Sequence, residues 1–265
     1  MLFGCCLNLL AKGNDFIGAE RIELAAKSGY DYVELPLSQV MRLSEMEFDA
    51  LRSRLDRAGI VCRSCCNFFP GDTIRVTGPK VYEGKIIAYI EKALNRARKL
   101  GANVVVFGSP AARNVEGDYP RELATLQLIR AFQIMGDLAA PDLQIAIEHV
   151  CHLEGNLIYT VREGCQLQTV IRNPHVGVLA DTYHMAIENE PIENLRLAKS
   201  RLVHVHTANP AGRVYPRPGD GVDYAKMLHT LQEIGYTGGI SVEAFSEDPE
   251  HDLPVALSTL KSALQ

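Results

Sequence analysis

The sequence predicts an α/β fold, a single (β/α)8 TIM barrel. Two observations carry that prediction: eight short apolar runs recur along the chain, and segments with helical periodicity lie between them. Length agrees, because 265 residues match the roughly 250 typical of a closed barrel, whereas a doubly wound sheet usually needs fewer strands. The expectation is one domain over residues 1–265, and 47% hydrophobic residues suffice for a large core.

The runs, in order, are "LFGCCLN" near the start, "YVELPL" (32–37), "IVCRSCC" (60–66), "NVVVFG" (103–108), "LQIAIEH" (143–149), "VGVLAD" (176–181), "RLVHVH" (201–206) and "GISVEAF" (239–245). Each is short and dense in apolar residues, as strands buried on both faces are. Among the intervening segments, Ser44 and Glu47 have capping-box spacing, Phe48, Leu51, Leu55 and Ala58 form one stripe, and Gly59 ends it. Ile86, Ile87, Ile90, Ala93, Leu94, Ala97 and Leu100 share a second face before Gly101. Asp223 is placed to cap a third helix carrying Tyr224, Met227, Leu228, Leu231 and Ile234. The one long Pro/Gly-rich stretch, "NPAGRVYPRPGDG" (209–221), follows the seventh run, where a barrel carries functional loops.

Charge and cysteine usage narrow the function. The net charge of −5 comes without any block of Lys or Arg, which argues against a nucleic-acid partner and for a small molecule. Seven cysteines, an odd number without disulfide-like spacing, suit a reducing cytoplasm. The start has no basic segment before its apolar residues and nowhere do 18 apolar residues run together, so no membrane association is expected.

In a barrel, chemistry sits at the C-terminal ends of the strands. The fifth run ends in Glu148, the sixth in Asp181, the seventh in His206, and the eighth carries Glu243. Taken singly these residues have ordinary readings, Asp181 as a helix cap and His206 as a core histidine. Together, three carboxylates and an imidazole from consecutive strands make a cage for a divalent cation, Mn2+, Mg2+ or Co2+, with Zn2+ also compatible. His204 and His206 point to one side of their strand, so one of them is a supporting or substrate-binding group. Cys62 and Cys65 have CxxC spacing, but three residues apart on a regular strand they are expected on opposite faces, against a zinc site. Arg213 and Arg217 lie in the long loop, where one can hold a substrate oxygen. Phe68, Phe107 and Tyr183 near strand ends read as core, wall or sugar-stacking groups. No glycine-rich nucleotide motif is present.

These residues resemble the xylose isomerase-like barrel superfamily, and within it the ketose 3-epimerases. The resemblance runs over the whole chain and is most specific from Glu148 to Glu243. It implies that Glu148, Asp181, His206 and Glu243 hold the metal and that Glu148 and Glu243 also move the proton. It further implies that Glu154 contacts substrate and that His184, completing D-x-x-H from Asp181, is a substrate or metal-shell group; Arg213 and His204 are expected beside them as substrate-binding groups. Two departures stand out: "EHVC" (148–151), with His149 and Cys151, replaces the family's Glu-Pro-x-Asn, and the arginine after the strand-seven histidine arrives late, at Arg213.

The implied function is a metal-dependent isomerase or epimerase that moves a proton next to a carbonyl through an enediolate, on a ketose or keto-sugar. The alternative is a dehydratase or lyase on a keto-sugar or keto-inositol. A hydrolase like the apurinic-site endonucleases ranks below both, because the third and fourth strand ends read "CCNFFP" and "VFGSP" without the endonucleases' histidines, and a non-catalytic sugar-binding barrel, which would not need Glu243, ranks with it. The resemblance also allows a homo-oligomer.

Overall fold

The computed structural model describes residues 1–264. Its strands are β1 (Leu2–Cys6), β2 (Tyr32–Pro36), β3 (Val61–Cys66), β4 (Val104–Phe107), β5 (Gln144–Glu148), β6 (Val176–Asp181), β7 (Leu202–Thr207) and β8 (Gly239–Val242). They close into a barrel in sequence order, with every neighbouring pair parallel and β8 bonded back to β1. Each predicted run is one of these strands.

The expected helices form for the expected reasons. The helix Glu45–Ala58 begins with a complete capping box between Ser44 and Glu47 and ends at Gly59, whose φ of +65° a glycine adopts without strain. Its buried side is Phe48, Leu51 and Leu55. The helix Glu83–Leu100 buries Ile86, Ile90, Ala93, Leu94, Ala97 and Leu100, and Asp223 caps Tyr224–Glu233 by accepting from the Lys226 backbone N–H. Most of the core lies between these helices and the outer barrel wall. A separate small cluster inside the barrel contains Cys6, Cys66, Val104, Val106, Ala146 and Leu179. Among the described residues no helix is long and apolar enough to cross a membrane.

Two irregularities determine what faces the interior. Pairing of β2 with β3 passes from Val33 opposite Cys62 to Glu34 opposite Ser64, leaving Arg63 as an extra residue. Such a bulge resets the alternation of side chains. It corrects the expectation for the cysteine pair: Cys62 and Cys65 share the outward side with sulfurs 4.0 Å apart. Cys66, not Cys65, turns inward. On β7, Val203 is the extra residue between the Val178–Leu202 and Leu179–His204 pairs.

Candidate metal centre and active site

The C-terminal mouth of the barrel gathers Glu148 from the end of β5, Asp181 from the end of β6, His206 from β7 and Glu243 just past β8. All four are buried, and one donor atom from each lies within 4.8 Å of the others. His206 Nδ1 is 3.1 Å from Glu148 Oε1 and 3.3 Å from Glu243 Oε2. Space for Glu148 depends on Gly108 after β4, where a Cβ would lie 1.8 Å from Glu148 Oε2.

Asp181 is both cap and cage member. Its Oδ1 accepts from the Tyr183 N–H at 2.8 Å and starts the helix Thr182–Ile187. Its Oδ2 is buried without a hydrogen-bond partner, 3.6 Å from both His184 Nε2 and Arg213 Nη2. The backbone N–H of Asp181 donates to His149 Nε2 at 3.1 Å, and His149 Nδ1 lies 3.1 Å from the Tyr159 carbonyl. One ring nitrogen therefore accepts and the other donates, which requires a neutral imidazole. Burial, with His184 nearby, lowers its pKa to about 3. The unusual His149 thus ties β6 to the loop after β5.

Sequence reasoning missed Glu34. It sits on β2, fully buried, with Oε1 3.1 Å from His206 Nε2 and Oε2 accepting from Ser241 at 2.6 Å and facing His204 Nε2 at 2.8 Å. Glu34 interrupts the apolar run "YVELPL" instead of closing it as Glu148 closes its own, so the strand-end signal did not mark it. Asn8 was also missed; its side-chain amide donates to Glu243 Oε1 at 3.5 Å and its carbonyl accepts from Asn67 at 3.0 Å.

The charges are strongly coupled. Burial opposes ionisation of Glu243, but His206 and Arg213 outweigh it and hold its pKa at about 2. The same contest leaves Glu34 well below the carboxylate range, through His206 and His204, and raises His206 well above the histidine range, through Glu34, Glu243 and Glu148. The nearby Asp181 carboxylate outweighs burial and pulls the pKa of His184 upward, whereas the Cys151 N–H donated to its Nδ1 favours the neutral ring, and the hydrogen-bond geometry assigns Nδ1 as the unprotonated nitrogen.

The remaining sequence-predicted residues divide by depth. Glu154 and Arg213 meet at the mouth, Nη1 to Oε1 3.2 Å, while Arg213 Nη2 lies 2.7 Å from Glu243 Oε2. The guanidinium is centred 4.6 Å over the Tyr183 ring, so the late arginine of the long loop still reaches the site. His184 lines the same side, with Nδ1 accepting from the Cys151 N–H at 3.3 Å. His204 lies beneath the cage against Glu34 and Ser241, the supporting position of the two expected for it. Phe68 and Phe107 are buried in the core, and Arg217 pairs instead with Asp252 at 2.9 Å.

A family model described as xylose isomerase-like TIM barrel matches residues 22–263. The chain belongs to this family. A probable ketose 3-epimerase of Synechocystis sp. is 24% identical over 246 residues, covering 89% of this chain and 82% of that protein. The D-psicose 3-epimerase of Agrobacterium fabrum is 26% identical over 239 residues, covering 84% and 78%. A crystal structure of D-psicose 3-epimerase with D-tagatose from Clostridium cellulolyticum H10 matches with a TM-score of 0.87 at 20% identity over the whole of both chains, which shows a shared fold.

The donor set of this xylose isomerase-like barrel fits a divalent ion. Asp181 Oδ2 is left without a hydrogen-bond partner, and Asp181 brings a donor atom within 4.8 Å of donors from Glu148, His206 and Glu243. Converging carboxylates repel one another in a buried site, and a dication removes that cost. Oxygen-rich donors with one imidazole suit Mn2+, Mg2+ or Co2+.

Proposed function

We propose that this chain is a divalent-metal-dependent sugar epimerase that inverts a ketose carbon next to the carbonyl. One observation carries the reading: Glu148 and Glu243 approach the same His206 nitrogen, at 3.1 and 3.3 Å, so two buried carboxylates flank one point in the mouth. Relatives named as ketose 3-epimerases support it.

When bound by Glu148, Asp181, His206 and Glu243, a divalent ion supplies Lewis acidity to the carbonyl, worth several kcal/mol in such chemistry. Of the two glutamates, one removes the proton from the carbon beside the carbonyl. The other returns a proton to the opposite face of the enediolate, and the centre inverts. Arg213 and His206 keep Glu243 ionised, the protonation state a base needs, while the same charges lower its proton affinity. His184, Glu154 and Arg213 supply donors and acceptors for sugar hydroxyls and hold the reacting carbon between the carboxylates. Asn8 and Arg213 fix the orientation of Glu243 from two sides.

The seven free, buried cysteines support a reducing, cytoplasmic setting. A homo-oligomer remains part of the proposal by likeness to the family.

The test is solvent deuterium entering a panel of ketoses, keto-inositols and their phosphates, followed by NMR, with Mn2+ present during incubation and removed before spectra. The expected result is label at a carbon next to the carbonyl together with a stereoisomeric product, both lost in Glu243→Gln. Absence of label in every compound, with metal bound, overturns the reading.

A further inference from the structure

Beneath the catalytic mouth, Cys6 at the end of β1 and Cys66 at the end of β3 face each other inside the barrel with sulfurs 3.6 Å apart. Both are buried, and a Glu34 carboxylate oxygen lies within 4.8 Å of both sulfurs. Cys6 Sγ is also 3.7 Å from Glu243 Oε1. Nothing in the proposed epimerase chemistry uses this pair.

Its spacing discriminates between two fates. The strands β1 and β3 are separated by β2. With strands about 4.8 Å apart, their backbones stand roughly 9 Å from each other. A disulfide spans at most about 7 Å between Cα atoms, so oxidation to a direct bond would require the barrel to contract. A tetrahedral ion with metal–sulfur bonds of about 2.3 Å instead places its sulfurs about 3.8 Å apart. The observed 3.6 Å matches that edge.

We infer that Cys6, Cys66 and Glu34 form a second cation site, selective for thiophilic ions such as Zn2+ or Cd2+, distinct from the oxygen-rich cage above it. Binding exchanges two thiol protons for the cation and releases them to solvent. The ion then competes for two carboxylates that serve the upper cage. Glu34 is drawn from His206 Nε2, and Glu243 Oε1 stands at the open corner beside Cys6. Occupation of the lower site therefore inhibits the upper one, and a soft ion acts as a brake on an enzyme that runs on a hard ion.

The test uses CdCl2 added to the protein already supplied with one equivalent of Mn2+. The expected result is an ultraviolet cadmium–thiolate charge-transfer band that saturates at one equivalent. The band is weakened to half or less in Cys6→Ser and in Cys66→Ser, lost when both are replaced, and retained in Cys62→Ser, which alters the other close thiol pair. Cadmium NMR of the unaltered protein provides a reading that needs no variant to fold, with a resonance in the range of mixed sulfur and oxygen ligation expected. No band, a band that follows Cys62, or a resonance typical of oxygen ligands alone overturns the site. These readouts report coordination, not turnover, so the outcome is independent of whether the epimerase reading stands.

Discussion

Glu34 Oε1 lies 3.1 Å from His206 Nε2, while Nδ1 of the same ring lies 3.1 Å from Glu148 Oε1. The carboxylate of β2 thus fixes the imidazole so that Nδ1 is the nitrogen offered to the cage. A carboxylate behind a ligating histidine orients the ring and raises its basicity. Glu34→Gln keeps the volume and removes the charge, and Mn2+ affinity is expected to fall roughly 10- to 100-fold. Calorimetric titration checks it, and unchanged affinity would show that His206 is oriented by packing alone.

Gly108 gives a steric prediction. A methyl group there meets Glu148 Oε2 at 1.8 Å, so Gly108→Ala displaces the carboxylate. Overpacking costs of about 1–3 kcal/mol correspond to a fall in kcat/KM of roughly ten- to a hundredfold when they fall on the reacting group. Gly84→Ala is the control. It lies exposed in the helix Glu83–Leu100 with nothing within 4 Å of an added Cβ, and is expected to raise stability by about 0.5 kcal/mol. Steady-state kinetics and thermal melts of the two variants separate local from global effects.

Arg213 touches Glu243 and Glu154 with different nitrogens and covers Tyr183. Lysine preserves the charge but cannot reproduce the fork or the stacking. Losing one charge-assisted hydrogen bond costs about 1.5–3 kcal/mol. Arg213→Lys is therefore expected to lower kcat/KM by roughly ten- to a hundredfold, with the larger change in KM, measured on the substrate found by deuterium exchange. A fall confined to kcat would place Arg213 on the reacting atoms and not on substrate binding.

Cys5 makes stability depend on alkaline pH. Burial raises its thiol from the ordinary 9.0 to about 12, despite a hydrogen bond with Tyr215 that lowers it. Between those values the unfolded chain loses a proton that the folded chain keeps, so the contribution is intact below pH 9 and is lost as pH rises towards 12. Denaturant midpoints should fall over that window and fall less in Cys5→Ala. Thiol reagents should label native protein slowly at pH 8, because all seven cysteines are buried.

Much of this molecule is legible in its sequence, and the exceptions have physical causes. Parallel strands buried on both faces write themselves as apolar runs, so all eight could be located. Glu148, Asp181, His206 and Glu243 stood out because polar residues closing such runs have few structural reasons to be there. Glu34 interrupts its run instead of closing it and lies three strands back from Glu148, and only closure of the barrel brings β2 beside β7's histidines. Arg213 was legible only as a loop cation, since its φ of +51° and the path of the loop bring it over Tyr183. The facing of Cys62 and Cys65 was misread because regular alternation was assumed where Arg63 interrupts it.

That interruption amounts to a frame shift in space. Were Arg63 taken into regular pairing, every later residue of β3 would exchange sides: the guanidinium would enter the lumen, Cys65 would follow it, and Cys66 would be handed to the helices. An unpaired cation in the barrel's interior is costly. By setting one residue out of count, the strand keeps Arg63 half-buried near its N-terminal end and delivers a sulfur to the barrel interior. What the lumen of this barrel can bind is therefore decided by how many residues β3 spends between two pairings, as much as by which residues they are.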